Sequence, residues 1–374
     1  MDFIDLKKQY QVLGPAIRAG IERVLERAAF INGPEVGELE KELAAYVGVS
    51  EAVACANGTA ALEMLLMALD LGPGDAVFCP AFTFIATAEV VALRGARPVF
   101  VDIDPRTYNI DPAHLAVKIE EVRRAGRFRP RAVIAVDLFG LPADYQRLEP
   151  LAEKHGLIIL EDAAQGFGGR QGTRRAGAFG RAAATSFFPA KPLGCYGDGG
   201  ALLTDDPELA GKLRSIRGHG AGRDRYEHLR LGTNSRLDSL QAAVLLVKLK
   251  AFPGELEERQ RVAARYGRRL SGLPSTPFIP EGCLSSWAQY TLRVPAEKRA
   301  GIMAALKEKG LPTMIYYPRP LHLQPAFAAY GGRSGDLPAS EKASAEVLSL
   351  PLHPYLSDGE VDSIAEKFLE SLDA

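Results

Sequence analysis

Between residues 50 and 205 the chain repeats one pattern: a short, continuously apolar or β-branched run, then a stretch with helical spacing, then another run. The runs are Ala52 to Cys55, Ala76 to Cys79, Pro98 to Asp102, Ala132 to Val136, Leu157 to Leu160, Ala183 to Phe187 and Ala201 to Thr204. A strand that is apolar on both faces leaves no side for water, so these runs predict one mainly parallel, seven-stranded sheet. The intervening stretches, such as Ala60 to Leu69 and Tyr145 to His155, supply the helices that cover it, which makes the fold class α/β. In such sheets ligands gather at the carboxyl ends of the strands.

Ahead of this unit lie two amphipathic stretches, Ala16 to Ala29 and Pro34 to Tyr46, the second with proline at a first helical position. After it, apolar residues recur three or four apart from Leu237 to Phe252, and Pro253-Gly254 interrupts the pattern. The break places a boundary there: residues 1–252 form a large domain and 253–374 a smaller C-terminal α/β domain. The latter is expected to hold a strand over Gln289 to Val294, a helix over Ala296 to Lys309 and a strand over Thr313 to Tyr317. A chain of 374 residues, 47% of them hydrophobic, buries such a core without help.

Charge narrows the partners. With 45 basic and 46 acidic residues there is no global field for nucleic acid or an anionic membrane. Cys55, Cys79, Cys195 and Cys283 lack CxxC spacing and the six histidines form no metal motif, which argues against disulfides and zinc. No apolar run has the length of a membrane span and the first residues do not look like a signal peptide, so a cytoplasmic protein is expected.

The segment from Thr185 to Gly200 encloses Lys191 among aromatics, prolines and glycines. A lysine desolvated by such neighbours has a lowered pKa and can condense with an aldehyde as a Schiff base, for which pyridoxal phosphate is the candidate. A snorkelling surface lysine fits this segment equally well. Ser186 and the turn at Gly58-Thr59, where a strand passes into a helix, offer hydroxyls and free amides to a phosphate; a plain helix cap fits the turn as well. Asp162 ends a strand, where a carboxylate can keep a pyridine nitrogen protonated or cap the next helix, and Gln165 follows one turn on. Phe84 is a ring that could stack on a cofactor or fill the core. Asn234 and Arg236 precede the long helix, and Arg236 could clamp a carboxylate or pair with Asp238. Tyr317 and His322 lie in an irregular segment, where His322 serves acid/base chemistry or structure.

These pieces, in this order, resemble the DegT/DnrJ/EryC1/StrS family of sugar aminotransferases. The resemblance runs from Phe3-Ile4-Asp5-Leu6 through Asn57-Gly58-Thr59, Phe82-Thr83-Phe84, Glu161 to Gln165, the Lys191 segment, Asn234 to Asp238 and Tyr317-Pro318 to Leu350 to Pro354. It implies the type I fold of pyridoxal phosphate enzymes, with Lys191 as the Schiff-base lysine and Asp162 on the pyridine nitrogen. Gly58, Thr59 and Ser186 would take the phosphate, Phe84 the ring face and Gln165 the ring hydroxyl. It further implies a homodimer with shared active sites, in which Asn234 reaches the neighbour's phosphate. Tyr317 and His322 would contribute to the substrate site.

The blocks Met1 to Gln9, Ser186 to Gly200 and Asn234 to Leu240 look like those family members that aminate UDP-2-acetamido-2-deoxy-3-oxoglucuronate for surface polysaccharide (O-antigen) synthesis. That similarity implies this nucleotide sugar as acceptor, glutamate as donor, and Arg236 on the sugar carboxylate. Aminotransfer to another UDP- or dTDP-linked 3-keto or 4-keto sugar, and a cofactor-binding regulatory protein without turnover, are the competing expectations.

Overall fold

The structure is a computed structural model describing residues 1–222, 224, 226–273 and 276–372. All seven apolar runs become strands of one sheet: β1 (Glu51–Cys55), β2 (Asp75–Pro80), β3 (Arg97–Val101), β4 (Arg129–Val136), β5 (Ile158–Asp162), β8 (Ala182–Ser186) and β9 (Gly200–Thr204). Two-residue strands β6 (Arg170–Gln171) and β7 (Arg174–Arg175) form a hairpin outside it, joined by β10 (Cys283–Leu284). The order across the large sheet is β1-β9-β8-β5-β4-β2-β3. Pairing is parallel throughout except at β9, which runs against both β1 and β8. The carboxyl ends of the other six strands therefore share one edge.

Helices seal both faces, as continuous apolarity requires. On one, α3 (Gly58–Ala68), α4 (Ala86–Leu93) and α7 (Pro207–Arg217) bury Leu62, Leu65, Val91 and Leu213 against Val53, Val77, Ile134 and Leu202. On the other, α2 (Pro34–Val47) and the first half of α8 (Ser239–Arg269) lay Leu39, Leu43, Leu245 and Phe252 on Ala54, Ala183 and Leu203. Beside them α5 (Pro112–Ala125) and α6 (Tyr145–His155) pack Leu115, Ile119 and Leu148 on Phe78, Val133 and Ile159.

Three elements depart from expectation. The first helix, α1 (Leu6–Arg27), begins ten residues before Ala16, because the Asp5 carboxylate accepts the Lys8 amide at 2.8 Å and caps it there. The long helix does not stop at Pro253: α8 runs on to Arg269, with Glu255, Arg259, Val262 and Tyr266 buried beyond the proline. An interior proline costs roughly 3 kcal/mol. Full burial of Phe252 before the proline and of Val262 beyond it contributes about 1.5–3 kcal/mol each, so packing on both sides outweighs the missing bond. Finally, residues 313–317 form no strand; Met314 makes an isolated bridge to Ser349. The partner of β11 (Tyr290–Arg293) is β12 (Val347–Leu350), antiparallel, so the expected βαβ unit is absent. Around this pair α9 (Ala296–Glu308), α10 (Pro338–Glu346) and α11 (Asp358–Leu372) complete the C-terminal part, whose core includes Tyr266, Leu292, Leu306, Leu350 and Phe368. Among the described residues no helix is long and apolar enough to cross a membrane.

Candidate active site

The shared carboxyl edge opens into a cavity of about 710 Å³. Four strand ends supply its wall: β1 leads into Asn57, Gly58 and Thr59, β2 into Thr83 and Phe84, β5 into Asp162, Ala164 and Gln165, and β8 into Ser186, Phe188 and Lys191. Ile4, Gln289, Tyr316 and Tyr317 close it from other parts of the chain.

The amine and the carboxylate define its chemistry. Lys191 is half-buried by surface area, yet enclosure by protein atoms pulls its ammonium below the ordinary lysine range, with the Asp162 charge acting the other way. Burial pushes the Asp162 carboxyl above its usual range, opposed by hydrogen bonds and by the Lys191 charge. Its Oδ2 accepts from the Thr87 hydroxyl at 2.9 Å and its Oδ1 from the Ala164 amide at 3.2 Å. The carboxylate is thus held in place by groups behind it, and its remaining capacity faces the cavity.

Next to this pair is a cradle at the start of α3. The Asn57 side chain caps the helix by accepting the Ala60 amide at 2.8 Å, which leaves the earlier amides free at the positive end of the dipole. A Cβ built on Gly58 would stand 2.8 Å from Ser186 Cβ. Only glycine lets the Ser186 hydroxyl, the Thr59 hydroxyl and the helix amides converge there, and that donor set suits a phosphate. Gln165 has its orientation fixed: Oε1 accepts the Phe139 amide at 2.7 Å, so Nε2 donates, reaching the Tyr317 hydroxyl at 3.0 Å. One N–H of that amide remains. Phe84 and Phe188, each 53% exposed, flank the opening.

The structure therefore brings together Lys191, Asp162, Gly58, Thr59, Phe84, Gln165, Ser186 and Tyr317. It does not bring His322, which is buried with Nε2 3.1 Å from Glu341 Oε1. The Leu321 amide bonds the Ala81 carbonyl, and the turn that follows points the imidazole inward to a carboxylate that also accepts the Gly335 and Leu337 amides. Asn234 and Arg236 also lie off this cavity: Asn234 is exposed and bridges Gly218, while Arg236 is half-buried with Nε lacking a hydrogen-bond partner. Sequence reasoning missed Thr87, Glu63, Asp198 and Gln289. Glu63 stands four residues after Thr59, hence on the same face of α3, a signal that was readable. Gln289 arrives from just ahead of the distant β11 and left no local signal.

A sheet of this order, with an enclosed amine and a buried carboxylate at its carboxyl edge, is the framework of an aminotransferase. A solved DegT DnrJ EryC1 StrS aminotransferase from Brucella abortus matches with a TM-score of 0.96 at 50% identity, covering 99% of both chains. NtdA from Bacillus subtilis, solved with the bound cofactor PMP, matches with a TM-score of 0.88 at 32% identity, covering 100% of this chain and 83% of that one. The chain belongs to the DegT/DnrJ/EryC1/StrS aminotransferase family, whose model matches residues 12–369. Among its relatives, the UDP-2-acetamido-2-deoxy-3-oxo-D-glucuronate aminotransferase of Pseudomonas aeruginosa is 49% identical over 365 residues, 97% of this chain and 98% of that one.

Proposed function

We propose that this aminotransferase uses pyridoxal phosphate to transfer an amino group from glutamate to a nucleotide-linked keto sugar, UDP-2-acetamido-2-deoxy-3-oxo-D-glucuronate, in the synthesis of a surface polysaccharide. The observation that carries the reading is the convergence of Lys191, Asp162 and the Gly58–Ser186 cradle in one cavity. The choice of sugar follows the Pseudomonas relative, whose likeness spans nearly the whole chain.

The residues fit the cofactor. Gly58, Thr59 and Ser186 would hold its phosphate, Phe84 its ring, Asp162 the pyridine nitrogen and Gln165 the ring hydroxyl through its second N–H. When bound, pyridoxal phosphate supplies an aldehyde that condenses with amines and a protonated ring that accepts electrons from the carbon being deprotonated. Asp162, held by Thr87, would keep the ring nitrogen protonated. Lys191, freed as an amine, removes the proton from the amino-acid carbon and in the second half-reaction delivers one to C3 of the sugar. Its lowered pKa keeps more of it in the basic form near neutrality. Phe84 and Phe188 limit water at the opening.

Asn234 and Arg236 belong to the same proposal as residues that act in the cavity of a second copy, Asn234 on the phosphate and Arg236 on the sugar carboxylate. Their position off the cavity of their own chain and the unpartnered Arg236 Nε support this. The division at 252/253 is proposed as one between cores and not between elements: α8 runs through it, the core around Leu292, Leu350 and Phe368 lies beyond it, and residues beyond it give Gln289, Tyr316 and Tyr317 to the wall. A cytoplasmic location accords with a nucleotide-sugar substrate.

The test is spectroscopic. Glutamate should bleach the visible band of the cofactor-loaded protein, and the UDP-linked 3-keto uronate, made in place by a dehydrogenase, should restore it. Bleaching without restoration would reject the sugar and keep the transaminase; no response to glutamate would reject the donor.

A further inference from the structure

Lys191 lies in an irregular connection between β8 and β9 that has few backbone bonds of its own, Phe187 N to Gly199 O at 2.7 Å, Cys195 N to Phe187 O at 2.8 Å and Lys191 N to Phe188 O at 2.8 Å, to which the Cys195 thiol adds bonds to the Phe187 and Gly197 carbonyls. Further support comes from α8, from Leu237 just ahead of it and from Tyr10 of α1. The Gln241 side-chain oxygen accepts the Tyr196 amide at 2.8 Å, and a Cβ on Gly199 would meet Leu237 Cδ1 at 3.1 Å. One α8 residue does more. Lys248 is only 1% exposed, donates from Nζ to the Gly194 carbonyl at 2.5 Å, and sits 4.5 Å from the centroid of the Tyr196 ring. Gln241 and Lys248 are seven residues, two turns, apart, so they share the face of α8 turned to this segment.

A fully buried lysine is costly unless its charge is used. Here the ammonium meets a carbonyl and an aromatic face of the same segment, on either side of Cys195, which fixes the segment in two directions. We propose that Lys248 is a positioning residue for Lys191: it clamps the 187–199 segment through Gly194 and Tyr196, so that the Lys191 amine stays aimed at the Asp162 end of the cavity. This role rests on the assignment of Lys191 made above.

The surroundings give the clamp a pH range. Burial lowers the Lys248 pKa to about 8, against the pull of Glu255 and Cys195. From the loop, the Cys195 thiol is pushed up to about 11 by burial and the Tyr196 hydroxyl is raised too, so both stay neutral at that pH. From α8, Glu255 lies two turns on and is held by the Gln9 amide of α1 at 3.0 Å and by the Tyr355 hydroxyl. Tyr10 of α1 packs edge-on against Tyr196, and Arg259 lies one turn beyond Glu255. Above about pH 8 the clamp loses its charge. Global stability moves the other way: the folded pKa is below the unfolded value, so the unfolded chain binds more protons between about 8 and 10.5 and stability rises with pH there. Local loosening and global unfolding thus have opposite pH signs.

The experiment compares wild type, K248M and K248R, with K191A as control. Amide exchange over residues 187–200 is followed at pH 7 and 9 in protein stripped of cofactor and corrected for intrinsic rates; circular dichroism confirms folding. In wild type, protection of this segment should fall about tenfold between pH 7 and 9, the scale of losing a charge-assisted bond. K248M should be low at both pH values. K248R, whose guanidinium stays charged, should remain protected at pH 9. In loaded enzyme K248M should lose about tenfold in kcat with KM for glutamate little changed. Equal protection in wild type and K248M, or a pH response in K248R matching wild type, would overturn the positioning role. Turnover retained by K191A would instead overturn the lysine assignment beneath it.

Discussion

Asp162 carries two opposed demands, and they can be measured apart. Its folded pKa lies above the ordinary carboxylate value because burial outweighs its hydrogen bonds. The folded state therefore binds this proton more tightly than the unfolded chain, and the group costs stability as pH rises out of the carboxylate range. Asp162→Asn should leave the cofactor-free protein at least as stable at pH 7.5 as wild type by urea denaturation. The same change should weaken pyridoxal phosphate binding and cut transamination about a hundredfold, since a neutral amide cannot hold a pyridinium. A loss of apoprotein stability would show Asp162 to be structural. At this scale the sequence was legible where chemistry and chain position coincide: Asp162 and Ser186 end strands of one sheet and Lys191 follows the second by five residues. It did not reveal Thr87, whose hydroxyl reaches Asp162 from the first turn of α4. Nor did it place His322, whose pairing with Glu341 depends on a turn fixed by Ala81, far away in sequence.

Elements were legible in proportion to how much of their stability is local pattern. The seven sheet strands are apolar on both sides and were all readable; β12 was not, because residues 313–317 read as the partner of β11, whereas Val347–Leu350 takes that place and Met314 bridges Ser349 on β12. The two-residue strands β6, β7 and β10 are below what any periodicity can register. Pro253 was taken as a stop because its neighbours give no hint that tertiary contacts carry α8 through it. It is solvent-exposed, so replacing it removes no packing. Pro253→Ala should let the amide bond the Leu249 carbonyl and raise unfolding stability by about 1–3 kcal/mol, read as a higher urea midpoint with unchanged slope. A lower midpoint would mean that the fixed backbone of the proline stabilises the chain by more than the missing bond costs.

For the molecule as a whole, the proposal that two copies share active sites predicts behaviour that neither copy has alone. Lys191→Ala removes the proton carrier of its own cavity, whereas Arg236→Ala impairs the cavity of the neighbour. Each homodimer should be inactive on the keto uronate. Mixed in equal amounts under conditions that exchange subunits, they should recover about a quarter of wild-type activity, because half the dimers then hold one intact site. No recovery, with exchange confirmed by mass, would place Arg236 in its own chain's chemistry. The reversal of β9 has a consequence for engineering. Ser186 and Gly200 are register partners across β8 and β9, so the lysine-bearing segment leaves the sheet and re-enters it at adjacent points. It is a closed cassette: a relative's version of different length could be transplanted between those two residues without shifting any other strand.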